Sequence, residues 1–509
     1  MHRILVVEDH PDFREDFERM IRVTSRDCEV IIAVNEQEAC QRLRAGRFSV
    51  VVTDIDLSLT GGSRTGGLLV LEEVKGHAPE SEVIVVTSGD PRHSPERVMD
   101  LGGVFVDRVG EHYQEVFMGV FAGALRRHAA TQAHRPPELM LHIPDQPHER
   151  LRYQILPDDP LERSVHAPLN LETSLLKAVS AAVGALTASE FRHEQDILAG
   201  WIGDHIWSKT FGEHTDLARA LGQAESVAAE RNVAIRIVSG PADLDVPFEL
   251  IRDRDKYLAL QHPLIRTIQP APNAAPRGTL PEEISGWRVL LIAADTWSDD
   301  LPCIPGVDDE VREVSEVFER HNVKPTVLRS WDATRSRIET ELKQPWHIVH
   351  FAGHSVHDPD EPANSRLQLW DRSCTESQWN DIQAQRASVS QFRGPVAAIT
   401  THRLRQCLPS SPPWLMYLSC CHSAQAAGAT QAVYSKSLGL VDALIQSGVQ
   451  VAAGHRWPVL DDEASVKFVT TFYESLLEIR NPKQAILRAR QSAQAHEAHW
   501  ASAVMVLQT

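Results

Sequence analysis

Nucleophilic chemistry needs an activated thiol or hydroxyl on a fixed backbone, and phosphoryl or metal chemistry needs clustered hard oxygens. This chain offers a candidate for each. Trp414 to Ser423, WLMYLSCCHS, is an apolar, aromatic run that ends in Ser419, Cys420, Cys421, His422 and Ser423. The run predicts a buried strand that delivers its last side chains into a polar loop. Ligands of open α/β sheets bind at the carboxyl ends of strands, and a thiol there is a nucleophile if a base lies near. His347 to Gly353, HIVHFAG, predicts a second buried strand, with His354 and Ser355 at its carboxyl end. Near the N-terminus, Ile4 to Val7 runs into Glu8 and Asp9, Phe48 to Asp54 delivers Asp54, and Ser81 to Thr87 ends in Thr87. Carboxylates at the ends of two strands make an oxygen-rich pocket suited to Mg²⁺.

The elements that must position these residues alternate. In the first 130 residues, helical patterns from Asp12 to Thr24, Glu36 to Arg44, Gly67 to Lys75, Pro95 to Leu101 and Glu111 to His128 separate four strand-like runs. The last of those runs, Gly103 to Asp107, is followed by Arg108. This alternation predicts a doubly wound parallel sheet. Ala130 to Pro147, rich in His, Pro, Gln and Ala, reads as an exposed linker, about 131–150. Residues 151–280 mix helical patterns with the strand Ala234 to Val238 and close on a Pro- and Ala-rich break, Pro270 to Gly278. From 281 to 509 strands and helices alternate again, with Val396 to Leu408 reading as a helix, so a second α/β domain is expected there.

Composition sets limits. The chain has 509 residues, enough for two or three domains, and 42% of them are hydrophobic. A formal charge of −18 argues against nucleic acid as a partner, because no basic stripe would offset phosphate repulsion. Seven cysteines without regular spacing do not make a disulfide framework. A reducing, cytoplasmic setting is expected, with no signal peptide at MHRILVVEDH and no membrane-spanning apolar run.

Two resemblances follow from these residues. HFAGHS (His350 to Ser355) with YLSCCHS (Tyr417 to Ser423) is similar to the paired signatures of CHAT proteases, members of the caspase-like clan that holds separase and gingipain. The runs Pro247-Phe248-Glu249-Leu250, Leu258 to Leu260 and Pro263 to Arg266, and the later stretch Gly454 to Glu463, resemble the same family. The resemblance implies a caspase-like α/β sandwich and a cysteine endopeptidase, with His354 as its base and Cys421 as its nucleophile. Leu418, Ser419 and Cys420 fill the L-S-small positions ahead of Cys421, which leaves Cys420 as the neighbour to be told apart from it. Asp461 matches a substrate-pocket aspartate of separase-like relatives and implies a basic residue before the cut; the other reading is an acidic helix start. A zinc site is the competing use of the Cys and His residues, but no C-x-x-C or ordered His pair accompanies them.

The first 130 residues resemble a response-regulator receiver domain, a flavodoxin-like fold. The resemblance implies Glu8 and Asp9 as the acidic metal pair, joined by Asp54 as phospho-acceptor and Mg²⁺ ligand, with Thr87 contacting the phosphoryl group. The family has a Lys after its fifth strand. Here Arg108 is the nearest cation to contact the phosphoryl group, with Asp107 beside it. The loop after Asp54 also carries an extra segment, Gly61 to Gly66, expected to be mobile. A sensor histidine kinase or phosphotransfer protein is the implied phosphodonor. A protein substrate, in a defence or cell-death setting, is implied for the protease. The alternative is a non-catalytic scaffold whose assembly the receiver controls.

Overall fold

A computed structural model describes most of the chain. Outside its described residues lie 88–97, 134–137, 144–149, most of 169–191, 229–232, 239–245, 269–279, 298–302, 357–363, 385–392, 421–437, 457–462, 495–499 and a scatter of shorter stretches. Two compact units divide it, Met1–Arg135 and Pro136–Thr509.

The first unit is built on β1 (His2–Val7), β2 (Cys28–Ala33), β3 (Val50–Thr53), β4 (Glu82–Thr87) and β5 (Val104–Asp107). Their order is β2-β1-β3-β4-β5, and every pairing is parallel. Ile4 to Val7 and Val50 to Val52 are wholly buried because helices cover both faces, which is why these strands read as continuous apolar runs. The sequence reading missed β2. Half-exposed at the sheet edge, it lacks that apolar continuity. Helices run over Pro11–Thr24, Glu36–Ala45, Gly66–His77 and Tyr113–Ala133, while the helix expected from Pro95 to Leu101 falls largely outside the described residues.

In the second unit the strands are β6 (Glu138–His142), β7 (Arg150–Leu156), β8 (Asp159–Pro168), β9 (Ala234–Val238), β10 (Arg252–Asp253), β11 (Lys256–Tyr257), β12 (Leu264–Ile268), β13 (Val289–Ala294), β14 (Thr326–Leu328), β15 (Ile348–Gly353), β16 (Ser355–Val356), β17 (Arg366–Trp370), β18 (Val396–Thr400), β19 (Leu415–Ser419), β20 (Val451–His455) and β21 (Ala503–Gln508). Among the described residues eleven of them form one sheet, ordered β14-β13-β15-β19-β20-β21-β12-β9-β6-β7-β8. β14 to β20 pair in parallel, so β13, β15 and β19 end on one edge. β21 turns antiparallel to β20 yet parallel to β12, and so joins the two halves of the sheet.

Two expectations are corrected here. The stretch read as a linker contains β6, whose alternating burial lets it pair with β9 on one side and β7 on the other. Its flanking His and Pro residues concealed a strand of only five residues. The run Val396 to Leu408, expected to be all helix, begins as β18 and turns helical only at Thr401, with Thr400 as N-cap.

Apolar side chains fill both faces of the large sheet. Leu291, Ala352, Tyr417 and Ala453 join one core with the helices Gly306–Arg320 and Glu463–Ile479, and Val349, Phe351, Met416 and Leu418 join the other. Each fully buried aliphatic side chain contributes roughly 1.5–3 kcal/mol, which holds the strand ends to a fixed frame.

Candidate functional site

β15 and β19 are adjacent and parallel, with Ala352 beside Ser419. His354 follows β15 and is fully buried. Its approach is close: a Cβ on Gly353 would sit 2.8 Å from the Ala294 carbonyl oxygen, so glycine lets β15 lie against β13 at this level. The next residue, Ser355, reaches across, and its hydroxyl donates to the Cys420 carbonyl at 3.4 Å. The turn that carries His354 is thereby tied to the end of the strand that leads to Cys421. Cys421 itself, His357, His422 and Asp461 lie outside the described residues.

Cys420 is described, and it is the wrong thiol for a nucleophile. Its side chain is buried in the core with Met416 and Leu418. Burial pushes its pKa up to about 12. A thiol in that setting stays protonated and inert at neutral pH.

Sequence reasoning passed over the polar groups beneath these strand ends. Glu310, on the helix Gly306–Arg320, accepts from the Ser419 hydroxyl at 3.1 Å. Its other oxygen lies 3.0 Å from His350 Nε2, in ion-pair range but off the angle of a hydrogen bond. His350 Nδ1 is 3.2 Å from the Tyr473 hydroxyl. A signal was present: Val307, Glu310, Val311 and Val314 share the buried helix face, so a carboxylate stands where the period calls for an apolar residue.

The P-F-E-L and P-L-I-R runs also meet. Buried Glu249 takes two hydrogen bonds from Arg266, at 2.8 and 2.6 Å, and a third from Arg456 at 3.1 Å. Burial alone would raise the Glu249 carboxyl, but the guanidinium charges of Arg266 and Arg456 outweigh it and bring the pKa to about 2.

In the first unit, Glu8, Asp9 and Asp54 stand at the carboxyl ends of β1 and β3, with Thr87 buried at the end of β4. Arg108 closes the pocket. Its guanidinium is 2.7 Å from Glu8 and 3.4 Å from Asp54, and it stacks over the Phe13 ring at 4.1 Å. Asp107, the rival for that place, is exposed and accepts from Val109 N–H instead. Burial pushes the Glu8 carboxyl up to about 7 and raises Asp54 as well. Three carboxylates share this pocket with one guanidinium, and their donors are the hard oxygens that Mg²⁺ prefers. Among the described residues no three acids converge as metal ligands in this arrangement. Arg108 takes up Glu8, and Asp9 accepts from Leu59 N–H at 2.5 Å. In chemistry the donor set fits the ion, which would take the guanidinium's place on Glu8.

The segment Gly61 to Gly66 is not loose. Leu57 N–H donates to Ser63 O, Gly66 N–H donates to the same carbonyl, and Ser63 N–H donates to Glu36. At Gly67 any Cβ would strike the Asp54 carbonyl oxygen, so the helix start packs directly on the backbone at Asp54.

Comparison with known proteins agrees with this division. Residues 212–508 match the family model of the CHAT domain, and residues 4–105 match that of the response regulator receiver domain. A response regulator receiver protein of Anaeromyxobacter sp. (strain Fw109-5) is 33% identical over 88 residues, which are 17% of this chain and 34% of that protein. The chain thus spans about a third of that relative's length. Among solved structures, a receiver domain protein from Clostridium thermocellum is 18% identical with TM-score 0.23, covering 26% of this chain and 99% of that one. The receiver domain of a sensor histidine kinase from Pseudomonas aeruginosa PAO1, with a magnesium ion coordinated in its active site cleft, is 17% identical with TM-score 0.20, covering 24% and 98%. No helix among the described residues is long and apolar enough to cross a membrane. With a match that spans more than half of its length, the chain belongs to the CHAT domain family, and it carries a response regulator receiver domain ahead of that region.

Proposed function

We propose that the chain is a phosphorylation-linked cysteine endopeptidase in which His354 and Cys421 form the catalytic dyad. The observation that carries the reading is the Ser355 hydroxyl bond to the Cys420 carbonyl, which ties the two strand ends together. Two residues beyond the paired Ala352 and Ser419 come His354 and Cys421. The Cys421 sulfur attacks the scissile carbonyl carbon, and the imidazolium of His354 favours the thiolate and gives its proton to the departing amine. Water then hydrolyses the thioester. Backbone N–H groups near Gly353 and Cys421 hold the oxyanion. Asp461 at the base of the substrate pocket selects Arg before the cut, because a planar guanidinium meets a carboxylate in two parallel hydrogen bonds.

In the receiver, Asp54 takes a phosphoryl group from a sensor histidine kinase or phosphotransfer protein, Thr87 donates to a phosphoryl oxygen, and Arg108 contacts another. A Mg²⁺ ion held by Glu8, Asp9 and Asp54 supplies charge neutralisation. Phosphorylation shifts the protease between two states, and the substrate is a protein partner.

Full burial of His354 favours the other reading, a receiver-controlled scaffold without catalysis. A thiol-reactive probe separates the two. Labelling mapped to Cys421 that outpaces exposed Cys303 and persists in Cys420→Ala supports the peptidase; labelling of Cys421 no faster than that of Cys303, with and without acyl phosphate, supports the scaffold. A peptide panel varied at the residue before the cut tests Asp461, and a preference for Asp or apolar residues overturns the pocket role. Equal labelling of wild type and Asp54→Ala in acyl phosphate overturns the coupling.

A further inference from the structure

A carboxylate and an imidazole stand close together in the apolar core of the second unit, and burying such a pair is costly unless geometry repays it. Glu310 is 5% exposed and His350 is 0% exposed. The helix that carries Glu310 is otherwise held to the sheet by Val307, Val311, Val314 and Phe318, so packing alone does not call for an acid there. One end of this polar file is anchored: His350 Nδ1 meets Tyr473, which the helix Glu463–Ile479 holds in the same core. The other end reaches the Ser419 hydroxyl, in the last residue of β19. From the opposite strand Ser355 holds the next carbonyl, that of Cys420. Two independent polar contacts thus fix consecutive residues where β19 leaves the sheet.

We infer that Glu310, through Ser419, is a positioning residue that fixes the strand end leading to the nucleophile. The inference rests on the peptidase reading above. Glu310 touches no reacting atom. Its carboxylate accepts from the Ser419 hydroxyl and so fixes the rotamer of the last residue of β19, while the His350 ring stands 3.0 Å from its other oxygen. A displacement of about 1 Å at a reacting group costs up to 100-fold in rate.

The test is alkylation of the full chain by iodoacetamide, with the rate at each cysteine read by mass spectrometry and exposed Cys303 as internal reference. Ser419→Ala and Glu310→Ala are expected to slow Cys421 about tenfold or more, with the Cys303 rate unchanged and the double variant no slower than either single one. Glu310→Gln, which retains an acceptor for the Ser419 hydroxyl, restores the rate and so excludes a purely electrostatic role, while slowing in Ser419→Ala with no further loss in the double variant excludes a purely volumetric one. Ser419→Ala removes one hydroxyl and keeps the test open if Glu310→Ala fails to fold. Wild-type speed at Cys421 in Ser419→Ala, or no rescue by Glu310→Gln, overturns the inference. If wild-type Cys421 reacts no faster than Cys303, the peptidase reading itself fails, and this inference with it.

Discussion

Glu8 and Glu249 are both buried carboxylates in contact with an arginine, and their acidities are driven in opposite directions. Glu249 is held by two hydrogen bonds from Arg266 and a third from Arg456, and sits at about 2. Glu8 has a single guanidinium contact and the Asp54 carboxylate beside it, and sits at about 7. The difference lies in cations per carboxylate. Where guanidinium groups outnumber acids, the ion pair is closed and ties distant segments together: Arg266 lies 17 residues from Glu249 and Arg456 lies 207. Where acids outnumber the guanidinium, burial prevails over the single attraction, and the surplus oxygens are of the hard kind that a divalent cation prefers.

Breaking the closed pair gives the largest expected effect. Glu249→Gln strands Arg266 and Arg456 in the core and lowers the stability of the second unit by about 3–5 kcal/mol, read from chemical denaturation. A loss near zero would show that the pair is no tie. The pH dependences sharpen the contrast. Glu249 has a lowered folded pKa, so its contribution, roughly 3 kcal/mol, is present above the unfolded value near 4.5 and is lost as pH falls towards 2. Glu8 has a raised folded pKa, so a contribution of similar size, roughly 3 kcal/mol, is present below 4.5 and is lost as pH rises through 7. Separate unfolding transitions of the two units, followed from pH 3 to 8, are expected to move in opposite senses, and movement in the same sense would break the comparison. Addition of Mg²⁺ at pH 8 restores the first unit. The smallest effect concerns the single guanidinium. Arg108→Ala removes the resident cation from Glu8 and is expected to tighten Mg²⁺ binding about tenfold, or 1.4 kcal/mol, by calorimetry. Unchanged or weaker binding would mean that Arg108 does not compete for the pocket.

Much of the first unit was legible because its information is local. Continuous apolar runs announced β1, β3 and β4, and the acids that end β1 and β3 were in plain view. Arg108 was not assignable in the same way, since Asp107 stood beside it; the choice depends on Phe13, about a hundred residues away in sequence, which offers its ring to a guanidinium. β2 and β6 were missed for a related reason. Each takes its stability from pairing with a neighbour, β1 for one and β7 and β9 for the other, and not from its own hydrophobicity.

Residue type and spacing alone were enough to read the two α/β regions, the strand ends that present His354, Asp54 and Thr87, and the families to which those patterns point. Such features depend on residue type and short-range period, which a chain carries wherever it folds. It took the assembled fold to turn Cys420 into the apolar core, to set Ser355 on its carbonyl, to bring Glu310 from a helix to Ser419 on a strand, and to close Glu249 with Arg266 and Arg456. Each of these is a contact between groups far apart in sequence. Its energy comes from excluding water around a buried polar pair, and that exclusion does not exist until the whole sheet and its covering helices have assembled.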